Sequence, residues 1–216
     1  MILYVVFDTN LNNWRQMKEP LQIFNDIIIF LNAFLLSRPQ NRIIIISNMK
    51  TIYDSKYTSL LTLLEILSDL KSAPSNLPQN IGYTMCLSQQ QEASRILIVS
   101  LSLPNKSDYL KYIKLYFTSQ KLNIRIDAVS FPKSFVFEYL ASSNHGKYSS
   151  NLNNLLDFLF SLLGTKKPTE NAYFQVTCVC HDKIILYGLV CPICLTIYCK
   201  FVPVCKKCKT KFTFQK

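Results

Sequence analysis

Two cysteine pairs near the C-terminal end constrain this chain more than any other feature. Cys191 and Cys194 form one pair, Cys205 and Cys208 form the other, and ten residues separate them. The pattern C-x2-C-x10-C-x2-C is typical of a structural zinc site, because a short connector brings four thiolates around one tetrahedral ion. Four thiolates close the coordination sphere, so we expect the metal to support folding and not catalysis. The alternatives are disulfides or plain buried thiols.

Four further potential ligands lie around these pairs. Cys178, Cys180 and His181 precede Cys191, and Cys199 lies between the pairs. All eight together would suit two zinc ions in a cross-braced, RING-like arrangement. The C-x-C-H spacing is unusual for a RING, so we favour the simpler hypothesis of one ion, with Cys178, Cys180 and Cys199 packing around it as small apolar residues.

The charge distribution separates this segment from the rest. The chain of 216 residues carries a formal net charge of +11, and residues 166–216, with nine lysines and two acids, contribute +7 of it. Such a basic end could bind phosphates or an acidic protein surface, or keep a small domain soluble. The apolar start, Ile2–Phe7, ends at Asp8 without a basic leader, and the longest apolar run, 27–36, is too short to span a bilayer. We therefore expect an intracellular protein whose thiols are reduced.

The first 165 residues alternate strand and helix patterns. Continuous apolar runs predict buried strands at 2–8, 42–47, 95–101 and 123–129, with a hairpin strand at 51–53 and an edge strand at 147–149. Helical spacing predicts helices at 21–36, 55–71, 107–120, 132–141 and 152–163, with a surface loop at 72–82 and a short helix from Ser88. This order predicts a doubly wound, mostly parallel α/β sheet at 1–165, a polar linker at 166–177 and a zinc-binding domain at 178–216.

Ligands of open parallel sheets bind at the carboxyl ends of the strands, and Asp8 stands at such an end. A divalent-cation site of the von Willebrand A type would have Asp-x-Ser-x-Ser there, whereas this chain has Asp8-Thr-Asn10-Leu-Asn12 and no acid in Ser100–Pro104. We interpret Asp8 as a cap for backbone amides of the loop, not as a functional ion site. With four glycines in the chain, a phosphate-binding loop is also not indicated.

Together these pieces resemble a known family. A von Willebrand A-like sheet with a degenerate ion site precedes Cys178-Val-Cys180-His181, Gly188-Leu-Val-Cys191-Pro-Ile-Cys194-Leu-Thr-Ile-Tyr-Cys199 and Pro203-Val-Cys205-Lys-Lys-Cys208. This combination is similar to the 34-kilodalton class of subunits of TFIIH, the factor for transcription and nucleotide excision repair. Val5-Val-Phe-Asp8-Thr-Asn10 followed by Trp14 resembles the start of that family. The chain is short for the family and lacks its long linker and extended lysine tail.

The resemblance implies a non-enzymatic nuclear subunit with structural zinc. Its partners would be other TFIIH core subunits, chiefly the one with its own von Willebrand A domain and RING-type fingers, without a membrane or a small-molecule substrate. Direct DNA contact is possible but not required. The competing hypotheses are a nucleic-acid-binding zinc protein, a RING-type ubiquitin ligase and a cation-dependent adhesion-type binder.

Overall fold

A six-stranded sheet forms the N-terminal part of the protein. We describe it from a computed structural model, which covers residues 1–8, 11–17, 19–58, 76–91, 93–164, 176–185 and 187–212. The strands are β1 (Ile2–Phe7), β2 (Arg42–Ser47), β3 (Lys50–Asp54), β4 (Ser94–Ser100), β5 (Arg125–Ser130) and β6 (Tyr148–Ser149). Their order is β3-β2-β1-β4-β5-β6, and all neighbours are parallel except β2 and β3. The predicted doubly wound, mostly parallel sheet is confirmed.

Helices cover both faces of the sheet. They are α1 (Leu11–Arg15), α2 (Pro20–Ser37), α3 (Leu77–Gln89), α4 (Tyr109–Lys121), α5 (Phe135–Ser142) and α6 (Leu155–Ser161). Side chains of β1 alternate between the two faces: Leu3, Val5 and Phe7 pack with α2 and α6, whereas Tyr4 and Val6 pack with α3, α4 and α5. This alternation explains why the strands read as continuous apolar runs, since each face of the sheet meets a helical layer.

The predicted helix boundaries are less accurate than the strands. The predicted loop at 72–82 is wrong in its second half, because α3 begins at Leu77, and Ser88 lies near the end of α3 and does not open a helix. Residues 55–58 of the helix predicted at 55–71 form turns and a bend, and the remainder lies outside the described residues. The helices predicted from 132 and 152 begin at Phe135 and Leu155.

Helix α2 extends well beyond the apolar run at 27–36, from Pro20 to Ser37. By length and composition alone its 18 residues, with a mean hydropathy of 1.5, could cross a membrane. Its side chains at Ile23, Ile27, Phe30, Leu31 and Phe34 are instead buried against the sheet. The apolar side chains that give α2 its high mean hydropathy thus pack into the hydrophobic core of the sheet domain.

Two short hairpins form the C-terminal module, which we define as residues 176–212. One pairs β7 (Val176–Thr177) with β8 (Ile184–Ile185), and the other pairs β9 (Leu189–Val190) with β10 (Ile197–Tyr198). Strand β7 thus lies within the predicted linker 166–177, of which residues 166–175 are outside the described part. Residues this few bury little apolar surface, so the module needs another source of stability.

Candidate metal centres in the C-terminal module

The inner cluster, Cys191, Cys194, Cys205 and Cys208, brings four sulfurs together. Cys191 Sγ lies 3.6 Å from Cys208 Sγ, and Cys194 Sγ lies 3.5 Å from Cys205 Sγ. Four sulfurs each about 2.3 Å from one zinc ion would lie roughly 3.8 Å apart at the corners of a tetrahedron. All eight cysteines are free thiols, and these separations far exceed a disulfide bond of about 2.05 Å. The arrangement therefore fits zinc better than cystine.

The two halves of the inner cluster share one backbone turn. The carbonyl of the first cysteine in each half accepts the N–H of the residue four positions later. This residue is Leu195 in the first half and Lys209 in the second, and both are left-handed, with φ of 59° and 60°. The N–H of the first cysteine donates to the carbonyl five positions further along the chain. Cys191 thus bonds Thr196 at 2.9 Å, and Cys205 bonds Thr210 at 2.8 Å. We call this turn a knuckle. This turn directs both sulfurs of each Cys-x-x-Cys segment toward the centre of the inner cluster.

Threonines and a tyrosine complete the surroundings of these sulfurs. The hydroxyls of Thr196 and Thr210 each lie 3.0 Å from the second sulfur of their knuckle, on Cys194 and Cys208. The buried Tyr198 hydroxyl lies 3.1 Å from Cys205 Sγ and accepts the Lys206 N–H at 2.9 Å. Such hydroxyl groups orient ligands and stabilise thiolates. The repeat Cys-x-x-Cys-x-Thr was the sequence signal for these residues, which the spacing argument missed.

A third knuckle has the same hydrogen bonds at Cys178. Asp182 donates its N–H to the Cys178 carbonyl at 3.0 Å and has a left-handed φ of 57°, and Cys178 donates to the Lys183 carbonyl at 3.0 Å. In this turn His181 occupies the position of the second cysteine. The backbone thus prepares Cys178 and His181 as a ligand pair, a role that the C-x-C-H letters did not reveal.

The outer cluster consists of Cys178, Cys180, His181 and Cys199. His181 Nδ1 lies 3.9 Å from Cys178 Sγ and 3.2 Å from Cys199 Sγ, and Cys180 Sγ lies 3.7 Å from Cys199 Sγ. Three thiolates and one imidazole nitrogen are a common zinc ligand set. The structure thus brings together residues that the one-ion hypothesis treated as packing, and its geometry favours the two-ion alternative.

Both clusters depend on the β9–β10 hairpin. Cys191 follows β9 and Cys199 follows β10, and the Val179 N–H bonds the Ile197 carbonyl at 3.0 Å, attaching the third knuckle to β10. Along the chain, ligands of the two clusters alternate, in the order outer, inner, outer, inner. This is the interleaving of a cross-braced module, so neither cluster can unfold without disturbing the other.

The local environment lowers the pKa of three thiols, those of Cys178, Cys205 and Cys208, the last chiefly through hydrogen bonds from Thr210. Backbone N–H donation at Lys183, together with His181, lowers the pKa of Cys178 to about 6. Burial opposes ionisation of Cys205, but the Cys208 N–H and the Tyr198 hydroxyl outweigh it and lower its pKa to about 6. Desolvation raises the pKa of Cys191 to about 11. Metal binding requires thiolates, and each cluster contains at least one cysteine that is readily deprotonated near neutral pH.

Asp8 lies at the carboxyl end of β1, where a von Willebrand A ion site would be. Its carboxylate is buried, and Oδ2 accepts hydrogen bonds from Asn13 Nδ2 at 3.0 Å and from Ser102 Oγ at 2.8 Å. The Trp14 indole donates to the Asp8 carbonyl at 2.8 Å. Two side chains, Asn13 and Ser102, therefore hydrogen-bond this carboxylate, and its role as a cap for backbone amides stays a prediction. These two side chains fasten the loop after β1 to the loop after β4.

Comparison with known proteins decides the family. The family model for transcription factor Tfb4 matches residues 75–209, from the sheet into the second knuckle of the inner cluster. The chain belongs to the Tfb4 family. Tfb4 proteins are the p34 class of TFIIH subunits, so the resemblance seen in the sequence is confirmed.

Relatives agree with this placement. The chain is 26% identical to a Schizosaccharomyces pombe protein named general transcription and DNA repair factor IIH subunit tfb4, over 99% of this chain and 89% of that protein. The crystal structure of the TFIIH p34 N-terminal domain matches 73% of this chain with a TM-score of 0.53 and 20% identity, covering 95% of that domain. The VWA domain of SpRpn10 matches 74% of this chain and 94% of that domain with a TM-score of 0.56 and 14% identity. At these identities the structures establish a von Willebrand A-type fold for this Tfb4 protein.

Proposed function

We propose that this Tfb4 protein is a non-enzymatic scaffold subunit of the TFIIH core, acting in the nucleus in transcription initiation and nucleotide excision repair. The observation that carries this proposal is the family match, which runs from the second half of the sheet domain, including β4, β5 and β6, into the cysteine module. A fold alone would not support it, because von Willebrand A domains serve many functions. The combination of the two parts is what the chain shares with its relatives.

The partner that we propose is the TFIIH subunit with its own von Willebrand A domain and RING-type fingers. The sheet domain, proposed at 1–165, would supply a rigid docking surface, and the zinc-binding domain, proposed at 178–216 after a linker at 166–177, would supply a second contact. An obligate interface of this kind should bury more than about 1,000 Å² in total. Membranes and small-molecule substrates have no part in this proposal.

Two structural zinc ions would stabilise the module. Cys191, Cys194, Cys205 and Cys208 would hold one ion, and Cys178, Cys180, His181 and Cys199 the other. Each ion would have four protein ligands, which leaves no open position for water or substrate. The ions would therefore supply folding free energy, and scaffolding remains the role that this geometry supports best.

Zinc binding also weakens the nucleic-acid alternative. Four thiolates around Zn²⁺ carry a net charge of −2, and three thiolates with a neutral histidine carry −1. With both ions bound, the formal +7 of residues 166–216 falls to +4. The lysines still attract anions, but the electrostatic case for DNA as the principal partner is correspondingly smaller. DNA contact within an assembly remains compatible with the scaffold.

Affinity purification of the tagged full chain from its native cells tests the proposed function. We expect TFIIH core subunits in the eluate by mass spectrometry, with the RING-type subunit in equal amount and retained at about 0.5 M salt, where exposed ion pairs are screened. Recovery of the chain without these subunits would contradict the scaffold. Ubiquitin transfer by the purified chain with conjugating enzyme would support the ligase alternative instead.

A further inference from the structure

An apolar groove lies on the surface of the C-terminal module, beside the inner cluster. Its volume is about 430 Å³. Apolar residues of both the β9–β10 hairpin and the segment after it line the groove: Leu189, Val190, Ile193, Phe201, Val202 and Phe212. Cys191 and Tyr198, which belong to or contact the inner cluster, lie in its wall, so the groove depends on the metal centre for its shape.

The groove-lining side chains are exposed to an unusual degree. Leu189 and Val190 are each 52% exposed and Ile193 is 67% exposed. Contiguous apolar surface on a small domain is costly in water and marks an interaction site more often than scattered residues do. Among residues 176–185 and 187–212, which the structure describes, Leu189, Val190 and Ile193 remain more than half exposed.

One lysine lines the groove, and two more adjoin its lining residues along the chain. Lys211 is in its lining, and Lys200 and Lys209 are the chain neighbours of lining residues Phe201 and Thr210. All three are exposed, and the sequence contains no acidic residue after Asp182. A second copy of this chain would bring the same positive charge to the groove and be repelled. Nucleic acid would satisfy the lysines but leave the apolar side chains in water.

We propose that this groove binds an acidic segment of another TFIIH subunit, one that places apolar side chains between its carboxylates. The inference rests on the proposed function, since it assumes assembly into the TFIIH core. Carboxylates would pair with Lys200, Lys209 and Lys211 at the rim, and the apolar side chains would cover Leu189, Val190 and Ile193. Apolar contact would provide most of the affinity, while charge would select the partner and speed association.

The experiment uses the full chain within the reconstituted TFIIH core. A carbodiimide reagent, which joins an amine directly to a carboxylate, is applied to the core and to the free chain, and cross-links are mapped by mass spectrometry. Hydroxyl-radical footprinting measures the accessibility of Leu189 and Ile193 in parallel. We expect cross-links from Lys200, Lys209 or Lys211 to a run of Asp and Glu residues, and at least about fivefold protection of both apolar side chains, because buried side chains are shielded from solvent.

Matched variants assign the effect to the groove. Ile193→Ser should lower the yield of these cross-links about tenfold at subsaturating concentration, as expected for losing one buried aliphatic contact. Ile184→Ser changes a comparably exposed residue of the same module outside the groove and should have no effect. The double variant Lys200→Glu, Lys211→Glu should abolish the cross-links of the remaining Lys209, because the reversed charges repel carboxylates. Lys114→Glu, Lys121→Glu, with the same change in net charge on α4, should preserve them. Zinc content of each variant shows whether the module is folded.

The outcomes separate this inference from the proposed function. If the chain does not assemble with the core, the scaffold proposal fails. If it assembles but the groove lysines form no cross-links and Leu189 and Ile193 keep their free-chain reactivity, the groove proposal alone is overturned. Protection that appears only when duplex DNA is added, or that occurs between two copies of the chain, would overturn it as well.

Discussion

At the scale of single residues, the Tyr198 hydroxyl contacts both a metal ligand and the backbone of the C-terminal module. It contacts Cys205 Sγ and accepts the Lys206 N–H, and burial raises the pKa of Tyr198 to about 12, so the phenol remains a donor. Tyr198→Phe removes this oxygen alone. We expect about tenfold weaker zinc binding, measured by chelator competition, because groups that hydrogen-bond metal ligands have effects of this size. The control is Tyr187→Phe, whose side chain is 90% exposed, and equal losses in both variants would contradict the role of Tyr198.

Asp54 and Arg42 give the sheet edge a dependence on pH. The two side chains form an ion pair that joins the start of β2 to the end of β3. Hydrogen bonding from Arg42 lowers the pKa of Asp54 in the folded protein below its ordinary value. The stabilisation is therefore complete above the unfolded pKa of about 3.9 and is lost as pH falls through the lower folded pKa.

Urea unfolding of the wild type and Asp54→Asn tests this dependence. At pH 7 we expect the variant to be less stable by about 1 kcal/mol, a modest value because Arg42 is partly exposed and screened by water. Toward pH 2 the two proteins should converge, since the wild-type carboxylate is then protonated. A difference in free energy of unfolding that stays constant with pH would show that Asp54 acts through packing and not through its charge.

At the scale of elements, Gly146 allows the segment between α5 and β6 to pass close to the backbone of β5 and α5. A Cβ at this position would lie 1.7 Å from the Ile126 carbonyl oxygen and 2.4 Å from that of Ala141, and neither backbone atom can move freely. Gly146→Ala should lower the free energy of unfolding by about 3 kcal/mol or more, measured in urea. Gly82→Ala, within α3, is the matched control: of the described residues its Cβ would meet Leu115 Cδ2, at an ordinary 3.5 Å, so this substitution should stabilise the protein by about 0.5–1 kcal/mol. Equal effects of both substitutions would contradict the close approach.

The elements also show what the sequence could predict. Strands β1, β2, β4 and β5 were predicted to within two residues, because burial on both faces requires continuous apolar runs. Helix α3 was missed in part because Pro78, Asn80 and Gly82 read as a loop, although Leu77, Ile81 and Met85 recur at helical spacing. The buried pair of Arg95 and Asp127 gave no signal, since the register of β4 against β5 decides which side chains meet. The third knuckle could not be predicted either, because backbone hydrogen bonds define it and no residue pattern in the sequence does.

At the scale of the whole molecule, the sheet has large apolar cores, whereas the module has a small cluster around its cysteines. Their stability should therefore have different origins: apolar burial for the sheet and metal binding for the module. Cys194→Ser removes one ligand of the inner cluster. Because the two clusters share the β9–β10 hairpin, we expect zinc content to fall from two ions per chain toward zero.

Hydrogen exchange shows where the Cys194→Ser protein unfolds. Peptides within 178–212 should exchange at the rate of an unfolded chain, while peptides of β1, β4 and β5 keep their protection, because the sheet cores do not depend on the metal. Cys86→Ser is the control, since this exposed thiol belongs to neither cluster and its loss should leave both zinc ions in place. Retention of one ion by Cys194→Ser would mean that the outer site folds independently, and loss of protection in β1 would mean that metal binding also stabilises the sheet. The first result would contradict the cooperative unfolding that we derive from the interleaved ligand order, and the second would contradict the separate origins of stability in sheet and module.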